Sequence, residues 1–169
     1  MVVGALALWR LGSDLIADAG AAEGTPAGWA APQAGRTGAA PSLTAPLSEA
    51  VRIEPGVVLR VVSVAPVRAV ARPGEIGGPA LRVDLQARNS AAVPVELDSV
   101  DVALFYGEPR VVAPSVSGPG ARPFRGAVPS GGTLRARYVF AVPDAADPPI
   151  GITLVGLPDL ASVIWTSDE

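Results

Sequence analysis

The chain of 169 residues has no cysteine, no histidine and no lysine, and its one methionine is Met1. Without Cys or His it can build no Ser-His-Asp triad, no Cys-His nucleophile, no disulfide framework, and no imidazole or thiolate site for zinc or copper. Aromatic residues are scarce at 5%, and no apolar run reaches the roughly 20 residues that span a bilayer as a helix. Carboxylates, serines and arginines are the chemistry that remains, and they form no arrangement that names a reaction.

What is present is a composition of 49% hydrophobic and 17% charged residues, which is globular rather than disordered. All 13 basic residues are Arg, among abundant Ala, Val, Gly and Pro, the usage expected of a GC-rich genome. Arginine richness alone is therefore weak evidence for anion recognition. The absence of Cys suits a reducing cytosol or an exported protein without staples, so it fixes no compartment. Charge is partitioned: residues 1–51 carry −2, residues 52–137 carry +4 and residues 138–169 carry −5. The basic excess in the middle is too small, with too few aromatics near it, for a nucleic-acid groove.

Three segments follow from the patterning. Residues 1–22 open with the apolar run Val2-Val3-Gly4-Ala5-Leu6-Ala7-Leu8-Trp9 and then meet Arg10, Asp14 and Asp18. The i, i+4, i+8 spacing of those charges puts them on one face of an amphipathic helix that can rest on a membrane or a partner. Alternatively the segment is the remainder of a signal or anchor helix whose basic start lies upstream, since no charge precedes the apolar run. Residues 23–51 lie in a stretch rich in Gly, Pro, Ala, Ser and Thr, including Thr25-Pro26-Ala27-Gly28 and Ala40-Pro41-Ser42, and are expected to form a flexible tether. The folded body is expected over 52–169.

Its apolar periodicity is two. Leu81, Val83, Leu85 and Ala87 alternate with Arg82, Asp84, Gln86 and Arg88, the signature of a strand with one buried and one wet face. Leu134, Ala136, Tyr138, Phe140 and Val142 alternate in the same way, and Tyr138 and Phe140 are expected to pack beside Val83 and Leu85. Further strands are expected over 57–64, 93–97, 100–106, 150–157 and 162–166. Between Leu97 and Val100 the apolar parity flips, which a single strand cannot do, so Asp98-Ser99 is expected to be a turn or kink. About seven short strands without a helix in the body predict an all-β, antiparallel β-sandwich.

The succession Leu81 to Asn89, Val93-Pro94-Val95-Glu96-Leu97-Asp98, Val100 to Leu104, and Pro129-Ser130-Gly131-Gly132 leading into Tyr138-Val139-Phe140-Ala141-Val142-Pro143 resembles a family of bacterial secreted immunoglobulin-like domains. Such domains are frequent in actinobacterial lipoproteins and are similar to a small immunogenic antigen secreted by mycobacteria. The resemblance covers residues 57–166 and implies an immunoglobulin-like sandwich, export, and a binding or structural role without catalytic residues or cofactors. The chain departs from it in having no lipid-acceptor Cys and in the long Gly/Pro-rich segment from Gly107 to Gly132.

Candidate sites are few. Glu96, Asp98 and Asp101 cluster near the kink and carry the oxygen ligands a calcium ion takes, but without calcium-loop spacing they read as solvated turn residues, and no metal is expected. Gly77-Gly78 and Gly131-Gly132 read as hairpin turns, because neither opens a helix that could hold a phosphate. More informative is the wet face of the two best strands. If they are neighbours, as the second and fifth strands of immunoglobulin topology are, Arg82, Arg88, Arg135 and Arg137 project together and can grip an anionic envelope polymer, lipid head groups or an acidic protein partner. The competing reading is an ordinary wet face balanced by Asp84 and Gln86. The resulting expectation is a non-enzymatic binding or structural module, secreted or tethered to the cell envelope, with membrane association through residues 1–22. The alternative is an extracytoplasmic subunit of a membrane complex docked through that segment.

Overall fold

The computed structural model describes residues 40–53, 56–70, 72–143, 149–157 and 159–167, so the helix expected over 1–22 and most of the expected tether lie outside the described residues. The strands are β1 (Ser42–Pro46), β2 (Ala50–Ile53), β3 (Val57–Ala69), β4 (Gly78–Asn89), β5 (Val95–Glu96), β6 (Asp101–Tyr106), β7 (Val111–Ala113), β8 (Ala127–Val128), β9 (Thr133–Ala141), β10 (Ile150–Val155) and β11 (Ser162–Thr166). They form a five-stranded sheet in the order β1-β11-β10-β6-β7, a four-stranded sheet β2-β3-β4-β9, and a small β5-β8 pair. Every pairing is antiparallel except that of β1 with β11. No helix occurs among the described residues.

The two larger sheets face each other across one core, because each presents the apolar half of its alternation inward. From the four-stranded sheet come Leu59, Val83, Leu85 and Phe140; from the other come Leu104, Ile152, Leu154, Val163 and Trp165, all essentially without solvent contact. Burying each such side chain is worth about 1.5–3 kcal/mol, so this layer carries the fold. Chain order passes from β4 in one sheet to β6 in the other, back to β9 and across again to β10. The second and fifth expected strands, β4 and β9, are neighbours, and the chain is an immunoglobulin-like β-sandwich. Phe140 stands opposite Leu81 and Tyr138 opposite Val83, with the two rings stacked at 6.4 Å.

Asp98 and Ser99 form the expected turn: Leu97 and Val102 are both buried, and the Val100 N–H donates to Leu97 O at 3.2 Å across it. At the end of β4, Asn89 is the one polar side chain buried among the described residues. Its Nδ2 donates to Val93 O (2.7 Å) and Val128 O (3.0 Å), and its Oδ1 accepts the Ala91 N–H (2.8 Å), so the Asn that closes the second expected strand ties three segments together.

Three expectations need correction. The tether does not reach residue 51, since Ser42–Pro46 pairs in parallel with β11 and Ala50–Ile53 with β3. Trp165 Nε1 donates to Glu49 O (3.1 Å) and Val51 and Ile53 enter the core, so the body begins near residue 41 rather than 52. The reason is that β1 is a short edge strand containing two proline-adjacent ends, and its partner lies 120 residues away in sequence. The strands also outnumber the expected seven: β1, β2, β7 and β8 were masked by Gly/Pro-rich surroundings, and β3 runs on to Ala69. A bulge at Val62 shifts β3 so that Val57, Leu59 and Val61 face the core before it and Val64 after it. Finally, Gly131-Gly132 is a turn between β8 and β9, which do not pair with one another, and so it is not a hairpin.

Candidate functional site: the arginine face

Residues directly opposed in an antiparallel ladder point to the same side of the sheet. In the four-stranded sheet Asp84 opposes Arg137, Gln86 opposes Arg135, Arg88 opposes Thr133 and Arg82 opposes Val139. Across β3, Ser63 opposes Asp84, Arg60 opposes Gln86 and Val58 opposes Arg88, while on β2 Arg52 opposes Val58. Because Val83, Leu85 and Ala87 turn into the core, all these residues turn outward. The four arginines expected from sequence, Arg82, Arg88, Arg135 and Arg137, are therefore brought to one surface.

Three more join them. Arg52 and Arg60 lie in short alternating segments, Val51-Arg52-Ile53 and Leu59-Arg60-Val61, whose periodicity is visible in the sequence but whose position in this sheet is not. Arg122 pairs with Arg137 through two backbone hydrogen bonds of 2.7 Å, and nothing in its Gly/Pro-rich neighbourhood signals a strand-like partner. Seven guanidinium groups thus share the face with a single carboxylate, Asp84, among the described residues of these ladders.

Asp84 is the organising group. Its Oδ2 accepts from Ser63 Oγ (2.9 Å) and Arg82 Nε (3.0 Å), and its Oδ1 accepts from Arg137 Nε (2.7 Å). Desolvation pushes this carboxyl upward, but the hydrogen bonds from Arg137 and Ser63 and the charges of Arg137 and Arg82 outweigh it and hold it below the ordinary carboxylate range. Both arginines give Asp84 only their Nε–H. Their terminal amino groups make no hydrogen bond to the described residues, and the two side chains are 35% and 43% exposed. Such a pair is a pair of fixed forks with donors to spare, the geometry that suits phosphate or carboxylate oxygens. Arg52, Arg60, Arg88 and Arg135 are exposed and form no ion pair with the described residues.

The surface is not flat. A recess of about 420 Å³ lies among Val62, Asp84, Arg122, Arg135 and Arg137, and a second of about 310 Å³ among Ala50, Val58, Arg60, Gln86, Arg88 and Thr133. The bulge at Val62 leaves that side chain 46% exposed in the first of these. Towards the Ala80–Ala141 end of the sheet the face becomes apolar, with Ala80, Val139 and Ala141 buried beneath Val116. The acids at the kink have other duties: Asp98 Oδ1 accepts the Gly126 N–H at 2.6 Å and Asp101 Oδ1 the Val102 N–H at 2.9 Å, and no group of three metal-ligating side chains gathers among the described residues.

No family model matches the chain, and no curated protein matches it. Among solved structures it is similar to the yjhA protein from Bacillus subtilis, with a TM-score of 0.55 and 12% identity over 73% of this chain and 99% of that one. It is also similar to an uncharacterized β-sandwich protein from Clostridium difficile 630, with a TM-score of 0.44 and 9% identity over 75% of this chain and 95% of that one. At such identities the first likeness speaks for the sandwich fold alone.

Proposed function

We propose that the protein is a non-enzymatic, exported or envelope-tethered binding module whose four-stranded sheet docks an anionic envelope polymer. The observation that carries this reading is the collection of seven arginines around one carboxylate on a single sheet face. Guanidinium groups bind phosphate and carboxylate bidentately, and several on one rigid sheet act together without the ordering cost that flexible loops incur. Export and tethering rest on the resemblance to secreted immunoglobulin-like domains and on the apolar run Val2–Trp9, which also supports the alternative of a subunit docked on a membrane complex through that segment.

Retention of the full chain on immobilised polyphosphate across a salt series tests the reading. Exposed charges are screened beyond a Debye length of about 8 Å at physiological ionic strength, so retention should fall steeply as salt rises. Replacing Arg60, Arg88 and Arg135 together with Gln removes charges that carry no structural pairing and should weaken retention while leaving the thermal midpoint nearly unchanged. Equal retention of wild type and triple variant, or retention independent of salt, would refute it.

A further inference from the structure

Between β7 and β9 the chain does something the strand pattern alone does not require. Pro114, Val116 and Arg122 run along the free edge of β9, joined to it by the Ala141 N–H to Pro114 O, Val116 N–H to Val139 O and the paired Arg122–Arg137 bonds. Between them, residues 117–121 leave the edge and arch over the outer face, across β9 and β4, to the far end of β3. Gly118 is the contact point. A β-carbon there would lie 1.9 Å from the Val70 carbonyl oxygen, so only glycine allows the arch to come this close. Glu75, from the β3–β4 connection, fastens the arch by accepting the Ser117 N–H (3.0 Å) and the Ser117 hydroxyl.

A half-open recess of about 240 Å³ lies beside the arch. Its apolar lining comes from Val67 and Val139 on the sheet side and from Val116, Gly118 and Gly120 on the side of the arch. Arg68, Arg82 and Arg137 line the same recess, and the latter two are the guanidiniums that Asp84 fixes through Nε. An apolar chamber with an anchored double fork beside it is complementary to a molecule with an apolar body and one anionic head. A water-sized group occupies about 30 Å³, so the chamber accommodates on the order of eight such groups, the bulk of a short alkyl chain.

We propose that this recess binds the alkyl chain of a single-tailed phosphate monoester, with the phosphate on Arg82 and Arg137. Phosphate is the head that fits, because its three terminal oxygens accept from two forks at once, whereas one carboxylate satisfies a single fork bidentately. This inference rests on the anion-binding reading of the face only through Arg82 and Arg137; the apolar chamber is independent of the exposed arginines.

Calorimetric titration of the full chain with hexyl phosphate, inorganic phosphate, hexanoate and hexanol tests the proposal. Hexyl phosphate should bind at least about tenfold more tightly than each of the other three, since each lacks either the buried chain or the phosphate. Gly120→Leu should fill the chamber: its β-carbon would stand 3.6 Å from Val139 Cγ2, an ordinary contact, so the substitution occupies space without a backbone clash. It should reduce hexyl phosphate affinity by at least about tenfold while leaving polyphosphate retention intact. Val139→Thr, close in shape, places a hydroxyl on the sheet side of the recess and should weaken hexyl phosphate alone, which keeps the test decisive if Gly120→Leu fails to fold. Inorganic phosphate or hexanoate matching hexyl phosphate, or hexyl phosphate binding unchanged in the folded variants, would overturn the proposal. Loss of polyphosphate retention in the Arg60, Arg88 and Arg135 triple variant with hexyl phosphate binding preserved supports both readings separately.

Discussion

Asn89 gives the sharpest test of how the sandwich is held together, because it is fully buried and each of its three side-chain hydrogen bonds is with backbone. Asn89→Ala deletes two donated hydrogen bonds and one accepted one. A net hydrogen bond contributes about 0.5–1.5 kcal/mol, so three place the loss at about 1.5–4.5 kcal/mol, a large share of a small domain's stability. Asn89→Asp sharpens the test. The side chain keeps an acceptor for the Ala91 N–H, but an oxygen replaces Nδ2 and faces the carbonyls of Val93 and Val128. Burial and the facing oxygens disfavour the carboxylate, so its folded pKa rises above the unfolded one. The penalty is then full at neutral pH and relaxes as pH falls through the folded value, where the protonated acid can donate to one carbonyl. Urea unfolding followed by tryptophan fluorescence reads this directly, since Trp165 lies in the core. The expected order of stability at pH 7 is wild type, then Ala, then Asp, with the gap between Ala and Asp narrowing on acidification. A loss under about 1 kcal/mol for Asn89→Ala, or an Asp variant as stable as the Ala variant at pH 7, would refute the role assigned to these bonds.

Phe140→Ala should cost about 3–5 kcal/mol by opening a cavity between Leu81 and the Tyr138 ring; a loss below about 1 kcal/mol in the same assay would mean the strand faces outward. Limited proteolysis should yield a resistant fragment beginning between residues 38 and 42 rather than near 52, because β1 and β2 are integral to the sheets; a stable fragment starting at Val57 would contradict this. Asp84→Asn should lower stability by about 1 kcal/mol at pH 7, discounted for the exposure of its partners. Because the carboxyl sits below its ordinary value, the difference from wild type should be full above that ordinary value and disappear only as pH falls through the lower folded value, and a pH-independent difference would assign it to shape instead of charge. Gly118→Ala should displace the arch at a cost of about 1–3 kcal/mol and abolish hexyl phosphate binding, and unchanged binding would show that the arch does not shape the recess.

The parts of this fold that were legible in the sequence are those where one element alone carries the information. The alternation from Leu81 to Arg88 and from Leu134 to Val142 needs no partner to be read, and the parity flip at Asp98-Ser99 marks a turn whichever strand lies beside it. What stayed hidden depends on pairing across long separations. β1 shows only two partly buried apolar residues, Leu43 and Ala45, and its order comes from β11 at the other end of the body. The bulge at Val62 is a second parity flip, but valines fill both registers around it, and the only mark it leaves is that the outward polar residue passes from Arg60 to Ser63. The site divides along the same line: four arginines on the two clear strands were found, and the three whose strands or pairings were hidden were not.

Gathering seven guanidiniums on one sheet carries an electrostatic cost, and the way the fold meets it bears on what the face can do. Were the charges evenly spread and unpaired, each would sit at cross-strand distance from another of the same sign, where direct repulsion is destabilising. The register avoids this at the ladder's centre by setting Asp84 opposite Arg137, with Arg82 reaching it along its own strand, while Gln86 separates Arg60 from Arg135. Asp84 therefore neutralises one charge but orders two side chains, and it does so through Nε, leaving the outward edges of both guanidiniums unmatched among the described residues. A face built only to be soluble would gain more from acids alternating with the arginines, each pairing one for one. The unequal ratio and the fixed forks fit a surface that meets its missing negative charge in a ligand, and the position of those forks at the border between the charged and apolar halves of the sheet directs that ligand's head and tail to opposite sides of one line.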